Sequence, residues 1–345
     1  MGKNDDAHGC RHMTAILAPR PVPASRPKKA AGMVELVKIR SALFPRLYEA
    51  FLHDDDPLSD ESDWRNVFDY QWEKDEDHTG YALLRDGEVI GMMAMAFSNR
   101  LIDGERHEFC NLHTWWVHPD HRGHSTAMLR PILGLKDYTI THFTPCERVR
   151  ALLKRLGFVD LNIQMKLLLP LWPFSKSRLR SAAQIAFDDA IDLSLLDDEE
   201  RRLLVDHRPY RVGSLLLQEE GEHCAILYTC VERYRVRYCH IHFIGAKAVF
   251  ARHEEAVRTA LMQRHGVRLV VLDTRLVQDL SLRRSVNFWA PAHAVYQPAG
   301  GVSPAQIDNL YTDVVMLRLA MMPHLSHEIG ELVRRWLPTK KGSPT

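Results

Sequence analysis

The chain of 345 residues lacks any apolar run of the length, about 18 residues, that a spanning helix needs. Its longest greasy piece, Leu167-Leu168-Leu169-Pro170-Leu171-Trp172, is too short and holds a proline. No membrane span is therefore expected. The first residues carry no apolar core of the signal-peptide type. Cysteine is sparse: six, at positions 10, 110, 146, 224, 230 and 239, none in a C-x-x-C pair. Thiols spread this thinly point to a reducing compartment, so a cytoplasmic protein is expected. Net charge is almost absent too, at +1. That excludes a global field drawing the chain to nucleic acid or anionic membrane, and no nucleic-acid partner is expected.

What remains is ordinary globular composition, 46% hydrophobic and 26% charged, at a length that fits about two domains. Residues 1–32 are polar and proline-rich and read as a disordered leader. From Met33 the pattern becomes regular. "MVELVKI" alternates as a strand. "RSALFPRLYEAFL" puts Leu43, Leu47, Ala50 and Phe51 on one helical face. "DWRNVFDYQWEK" does the same for Trp64, Val67, Phe68 and Trp72, a core or cleft wall rather than a base-stacking platform, since no basic residues interleave them. "YALLRDGEVIGMMAMAF" is a hairpin turning at Asp86-Gly87. A strand follows from His107 to Val117, then a helix from Ser125 to Leu135, the strand "YTITHF", a helix stopped by Gly157, and a last strand "FVDLNIQMKLLL".

The second half repeats part of this order. A hairpin turns at Glu220-Gly221. "RYCHIHFIG" is a strand, "RHEEAVRTALMQRHG" a helix with a glycine cap, and "VRLVVLDTRLV" a buried strand. "VNFWAPAHAVYQP" and "IDNLYTDVVMLRL" read as later β pieces. The recurring order predicts a tandem repeat of one αβ domain. The expected divisions are a leader 1–32, a first domain 33–174, a linker and helix 175–205, a second domain 206–320, and a C-terminal helix and tail 321–345.

One seam stands out: Trp115 to Ile132, "WWVHPDHRGHSTAMLRPI". A strand breaks at His118-Pro119-Asp120, and an arginine, a glycine and small residues precede an apolar helical run. A helix start offers unpaired N–H groups and a positive dipole end, and a small-residue turn before it lets those groups converge on an anion. The run Arg122-Gly123-His124-Ser125-Thr126-Ala127 resembles the Arg/Gln-x-x-Gly-x-Gly/Ala signature of the GNAT acyltransferase superfamily. Ala151 to Phe158, "ALLKRLGF", looks like that family's following helix, which ends in Gly-Phe. The resemblance covers residues 33–170. It implies an α/β (α+β) fold of two GNAT-like domains, each a mixed, mostly antiparallel central sheet flanked by helices. The second half lacks the Arg-Gly run and is expected to be degenerate.

The resemblance further implies an acyl-CoA-dependent N-acyltransferase. The co-substrate would be acetyl-CoA or another acyl-CoA, and the acceptor a small-molecule or peptide amine. Arg122, Gly123, His124, Ser125, Thr126 and Ala127 would cradle the pyrophosphate, and Trp116 and Val117 would line the pantetheine arm. Two departures from the family stand here: Ser125 where glycine is usual, and Leu153 where a tyrosine commonly protonates the leaving thiolate. A non-catalytic acyl-CoA-binding or sensor module, or an aminoacyl-tRNA-dependent transferase of tandem GNAT type, are the alternatives.

An amine attacking a thioester must lose a proton, and imidazole titrates in the working range. His113 is the expected base, with Glu108 in reserve and His142, ending the next strand, as a further candidate. Simple alternation places His113, Trp115 and Val117 with Phe109 and Asn111, and Cys110, Leu112, Thr114 and Trp116 on the opposite face. The acidic runs Asp54–Asp56 and Asp75–Asp77, if they flank the cleft, favour a cationic acceptor. Cys239-His240-Ile241-His242 has metal-ligand residue types, but on a strand Cys239 points away from the two histidines, and no metal is expected.

Overall fold

Two seven-stranded sheets of the same plan organise the chain, which is described here by a computed structural model over residues 32–56, 58–171, 183–233 and 236–323. All but the last residue of the leader 1–32, residues 172–174 at the end of the expected first domain, residues 175–182 of the expected linker, and the C-terminal helix and tail past 323 lie outside these residues. In the first half come β1 (Val34–Lys38), β2 (Gly80–Arg85), β3 (Glu88–Ile102), β4 (Glu105–Val117), β5 (Tyr138–His142), β6 (Val159–Asp160) and β7 (Gln164–Leu168). The second half holds β8 (Gln184–Phe187), β9 (Gly213–Glu219), β10 (Glu222–Arg233), β11 (Val236–Ile244), β12 (Val270–Asp273), β13 (Ser285–Trp289) and β14 (Val295–Gln297). The hairpin turns fall at Asp86-Gly87, Asp103-Gly104 and Glu220-Gly221, with both residues of each pair at positive φ. That geometry matches the right-handed twist of the flanking strands and favours glycine at the second place.

The sheets run β1-β2-β3-β4-β5-β14-β6 and β8-β9-β10-β11-β12-β7-β13 when each is read from its first strand. In both, the fourth and fifth strands are parallel and the other pairs antiparallel. The repeat is therefore more complete than its sequence pattern, because β8 lies inside the stretch read as linker. The sixth position is exchanged between halves. β14 enters the first sheet between β5 and β6, and β7, expected as the last strand of the first half, pairs instead with β12 and β13.

The first helical run opens with α1 (Phe44–Leu47), passes through a π turn (Tyr48–Leu52) and ends in α2 (His53–Asp55). The wider π turn shifts the inward position by one residue, so Leu52 is buried rather than Ala50 or Phe51. α3 (Glu61–Phe68) starts at a capping box between Asp60 and Asp63 and buries Trp64, Val67 and Phe68. It stops at Asp69, short of Trp72. Tyr70 and Trp72 leave the helix to serve β3: the Phe97 amide donates to Tyr70 Oη (2.8 Å), and Trp72 Nε1 donates to the Phe97 carbonyl (2.7 Å). Both groups close a strand edge that β2 no longer covers, since that pairing ends at Ala94.

α4 (Leu129–Gly134) and α5 (Glu147–Arg155) cover the outer face of the first sheet over Met93, Met95, Cys110 and Leu112. α7 (Lys247–His265), ended by Gly266 at φ 62°, covers the outer face of the second. Between the sheets lies a shared core holding Trp64, Phe68, Met92 and Ala94 with Leu216, Leu227, Tyr311 and Val315. α6 (Asp198–His207) lends it Leu203 and Leu204.

Residues 307–319, read as a β piece, form no strand. They follow a 3-10 turn (Pro304–Gln306) and contain the short α8 (Asp313–Met316). Their side chains bind both halves instead of a neighbouring strand. Asp308 takes a two-pronged contact from Arg100 (2.6 and 2.6 Å), and Arg318 gives one to the buried Asp63 (3.1 and 2.9 Å). Toward the second half, Tyr311 Oη donates to Asp206 (2.7 Å), and Asn309 Oδ1 lies 3.0 Å from His242 Nδ1. The segment is a strap across the seam between the sheets.

Candidate functional site

β4 carries an irregularity that decides what its side chains meet. Met93 pairs with Trp115 and Ala94 with His113, leaving Thr114 as an extra residue at φ 46°. Such a bulge inverts the alternation beyond it. Trp115 and Val117 consequently pack toward α4 and α5 with Cys110 and Leu112. Trp116 turns to the inner face, stacked on Phe51 at 4.8 Å and 18°. His113 lies on that inner face too, its ring 6.1 Å from Phe68. The expected grouping of His113 with Trp115 and Val117 is thus corrected: Trp116 is the aromatic on its side.

Just before the bulge, β4 and β5 part company. They pair only from Glu108–Tyr138 to Asn111–Thr141, while the other edge of β5 pairs with β14 from Ile140–Gln297 to His142–Val295. At this fork the strap delivers a carboxylate. Asn111 Nδ2 donates to Asp313 Oδ1 at 2.8 Å, and Thr141 Oγ1 donates to Asn111 Oδ1 at 3.2 Å. Asp313 is 4% exposed, and burial raises its pKa from 3.8 to about 6, against the opposing pull of the Asn111 hydrogen bond. Sequence reading missed this residue. Its only signal was an acid within an apolar stretch, "YTDVVML", a position where an ionisable group needs a reason.

The three sequence candidates do not converge. His113 is buried next to the fork, on the face of Asn111; its Nδ1 lies 3.0 Å from Thr114 Oγ1, and its Nε2 has no hydrogen-bond partner among the described residues. Burial alone depresses its pKa to about 3, so the ring is neutral but weakly basic. His142 pairs with Val295, whose side chain joins the outer core, so it faces away from Asp313. Glu108 sits six residues before Thr114, roughly 20 Å along the strand. There burial, and after it a hydrogen bond with Asp75, raises its pKa. The acidic run beside it is already matched: Asp75 binds Arg106 (2.6 Å), and Asp77 binds Lys38 (2.8 Å) and Arg40.

After Val117 the chain runs in 3-10 turns from Pro119 to Met128, and α4 begins only at Leu129, later than the expected Ser125. Gly123, Ser125 and Thr126 are poor α-helix formers, and Pro119 fixes the entry. Arg122, Gly123, His124, Thr126 and Ala127 are exposed, and Ser125 is half-buried. A Cβ at Gly123 would meet no atom within 4 Å. The run therefore presents an open surface beside an exposed guanidinium. However, amides in 3-10 turns bond back three residues, so fewer point outward than a loop leading into an α-helix would offer. Leu153 lies in α5 at 0% exposure and offers no proton. The recess among Gln184, Leu195, Gln218 and Glu220 belongs to the β9–β10 turn of the second sheet and contains none of these groups.

The bulge and the turn after β4 lie within the part of the chain that matches a known family, whereas β5 and Asp313, which complete the fork, lie beyond it. Residues 34–132 match the model of the Acetyltransferase (GNAT) family. No curated protein matches the sequence. Among solved structures, a GCN5-related N-acetyltransferase from Anabaena variabilis ATCC 29413 superposes with a TM-score of 0.50 at 10% identity, over 77% of this chain and 72% of that one. A conserved protein of Enterococcus faecalis V583 gives 0.52 at 10% identity, with the same coverage. The glucosamine N-acetyltransferase region of a fungal multi-domain GH3 β-N-acetylglucosaminidase gives 0.52 at 11% identity, over 80% of this chain and 39% of that one. At such identities the likeness is one of fold. Residues 34–132 thus carry the likeness to the Acetyltransferase (GNAT) family, and the second sheet repeats the strand plan of the first.

Proposed function

We propose that the protein transfers an acyl group from acyl-CoA directly to an amine, with the chemistry at the β4–β5 fork. The observation that carries this reading is Asp313, a buried carboxylate held by Asn111 where those strands separate. An amine attacking the thioester carbon must shed a proton as the C–N bond forms. A base with a pKa near 6 is better matched to that task at neutral pH than an imidazole near 3. In this reading Asp313 accepts the proton. His113, whose Nε2 is unpartnered, hydrogen-bonds to bound substrate. Trp116 and Val117 flank the pantetheine arm, and Arg122 to Ala127 hold the pyrophosphate. The tetrahedral adduct then expels CoA thiolate, which takes its proton from solvent because Leu153 cannot supply one.

The test is release of free CoA thiol by the full chain from acetyl-CoA and longer acyl-CoAs with a panel of amines. Turnover with some amine is expected, reduced roughly 100- to 10,000-fold by Asp313→Asn. An acyl-CoA that binds yet never turns over with any amine would favour the second reading, a binding module, which Leu153 supports.

A further inference from the structure

Away from the fork, the outer face of the second sheet gathers two thiols and an imidazole that the proposed reaction does not use. Cys230 on β10 and Cys239 on β11 are directly opposed in the strand register. Their sulfurs are 3.8 Å apart, and both cysteines are free. His265, the last residue of α7, brings a ring nitrogen so that all three ligand atoms lie within 4.8 Å of one another. Tyr228 Oη is 2.8 Å from His265 Nε2 and fixes the rotation of that ring. Cys239 is buried, and Cys230 and His265 are half-buried.

Tetrahedral thiolate ligands at about 2.3 Å from zinc stand about 3.8 Å from each other, which the two sulfurs already satisfy. The imidazole needs at most a shift of about 1 Å to complete a third vertex, since zinc–nitrogen bonds are about 2.0–2.1 Å. It is carried by the end of a helix, where such a shift is cheap. A metal-bound imidazole whose other nitrogen is tied to a neighbouring group is the usual outer arrangement of such sites. The sequence run Cys239-His240-Ile241-His242 did suggest ligands, but His240 and His242 face the inner side, near Thr229 and Asn309. The partners of Cys239 come from other elements.

We propose that Cys230, Cys239 and His265 bind one thiophilic divalent cation of the zinc type, tying the end of α7 to β10 and β11, with the fourth position open to solvent. Each thiol loses its proton to solvent as its metal–sulfur bond forms. The site is independent of the acyl-transfer reading, because none of its residues belongs to the fork.

The full chain, reduced and stripped with a chelator, would be titrated with Co²⁺ and then Zn²⁺. One equivalent of cobalt giving a thiolate-to-metal charge-transfer band, displaced by zinc, is the expected result. Cys230→Ser and His265→Asn should each weaken binding at least ~100-fold. If a variant fails to fold, zinc protection of Cys230 and Cys239 from alkylation, mapped by mass spectrometry on the unaltered protein, decides. Absence of the thiolate band, unchanged affinity in Cys230→Ser, or a Cys230–Cys239 disulfide formed in place of metal binding overturns the proposal.

Discussion

A carboxylate shut away from water resists ionising, and Asp313 does so at a cost. Raising its pKa from 3.8 to about 6 corresponds to about 3 kcal/mol against the ionised form at neutral pH. The folded state keeps this proton to higher pH than the unfolded chain, so this residue's contribution to stability falls as pH rises from about 4 to about 6. Asp313→Asn keeps an oxygen for Asn111 Nδ2 and removes the charge. Its melting temperature at pH 7.5 should therefore rise, by an amount equivalent to at most about 3 kcal/mol, while turnover collapses. Calorimetry and a pH–rate profile on the same samples check both. The unaltered protein should gain rate as pH rises through about 6; a flat profile there would remove Asp313 from the role of base.

At the level of elements, the exchanged strand β7 depends on α7. Arg258, 1% exposed, binds Glu254 through Nε (2.7 Å) and Nη2 (2.6 Å). Its Nη1 donates to the carbonyls of Leu169 (2.8 Å) and Arg283 (3.0 Å), the chain ends beside β7 and β13. Removing one partner of a buried, hydrogen-bonded ion pair strands the other charge, so Arg258→Ala should cost about 3–5 kcal/mol in denaturant unfolding. The paired change Arg258→Met with Glu254→Leu should recover much of that loss. The strap shows its tension in the backbone: Tyr311 (φ 58°) and Arg318 (φ 51°) adopt left-handed conformations that cost non-glycine residues energy. Both are held by side-chain bonds to opposite halves, Tyr311 to Asp206 and Arg318 to Asp63.

For the whole molecule, strand exchange makes the halves interdependent. A first half ending at 174 lacks β14, and a second half starting at 175 lacks β7. Each expressed alone should fail to give a cooperative unfolding transition, and the two expressed together should co-purify as a complex. The inner seam also stores acid sensitivity. Burial lowers the pKa of His113 and His242 to about 3 and of His207 to about 4, and burial, with His242 beside it, holds His240 well below the usual imidazole range. Below pH 6.5 the unfolded chain binds protons that these rings refuse, so stability falls with pH, by roughly 2 kcal/mol per histidine at pH 5. Acid unfolding followed by circular dichroism should begin near pH 5, whereas a protein stable at pH 4 would show that the seam opens to water.

Several features were legible from the residues because they are decided within a few positions of the chain. Asp86-Gly87 and Glu220-Gly221 make hairpins through backbone sterics alone, and Gly266 ends α7 for the same reason. The seam after Val117 announced the family through its arginine, glycine and small residues, and the recurrence of strand and helix patterns announced the second sheet. The rest needed partners far along the chain. Thr114 inverts β4 only because β3 fixes the pairing on both sides of it. Asp313 reaches the fork across 202 positions, and β7 and β14 each fill the sixth position of the other half's sheet. Local conformational preference wrote the elements into the sequence; hydrogen-bond satisfaction and burial across the seam between the sheets, which only the assembled chain creates, decided where the chemistry sits.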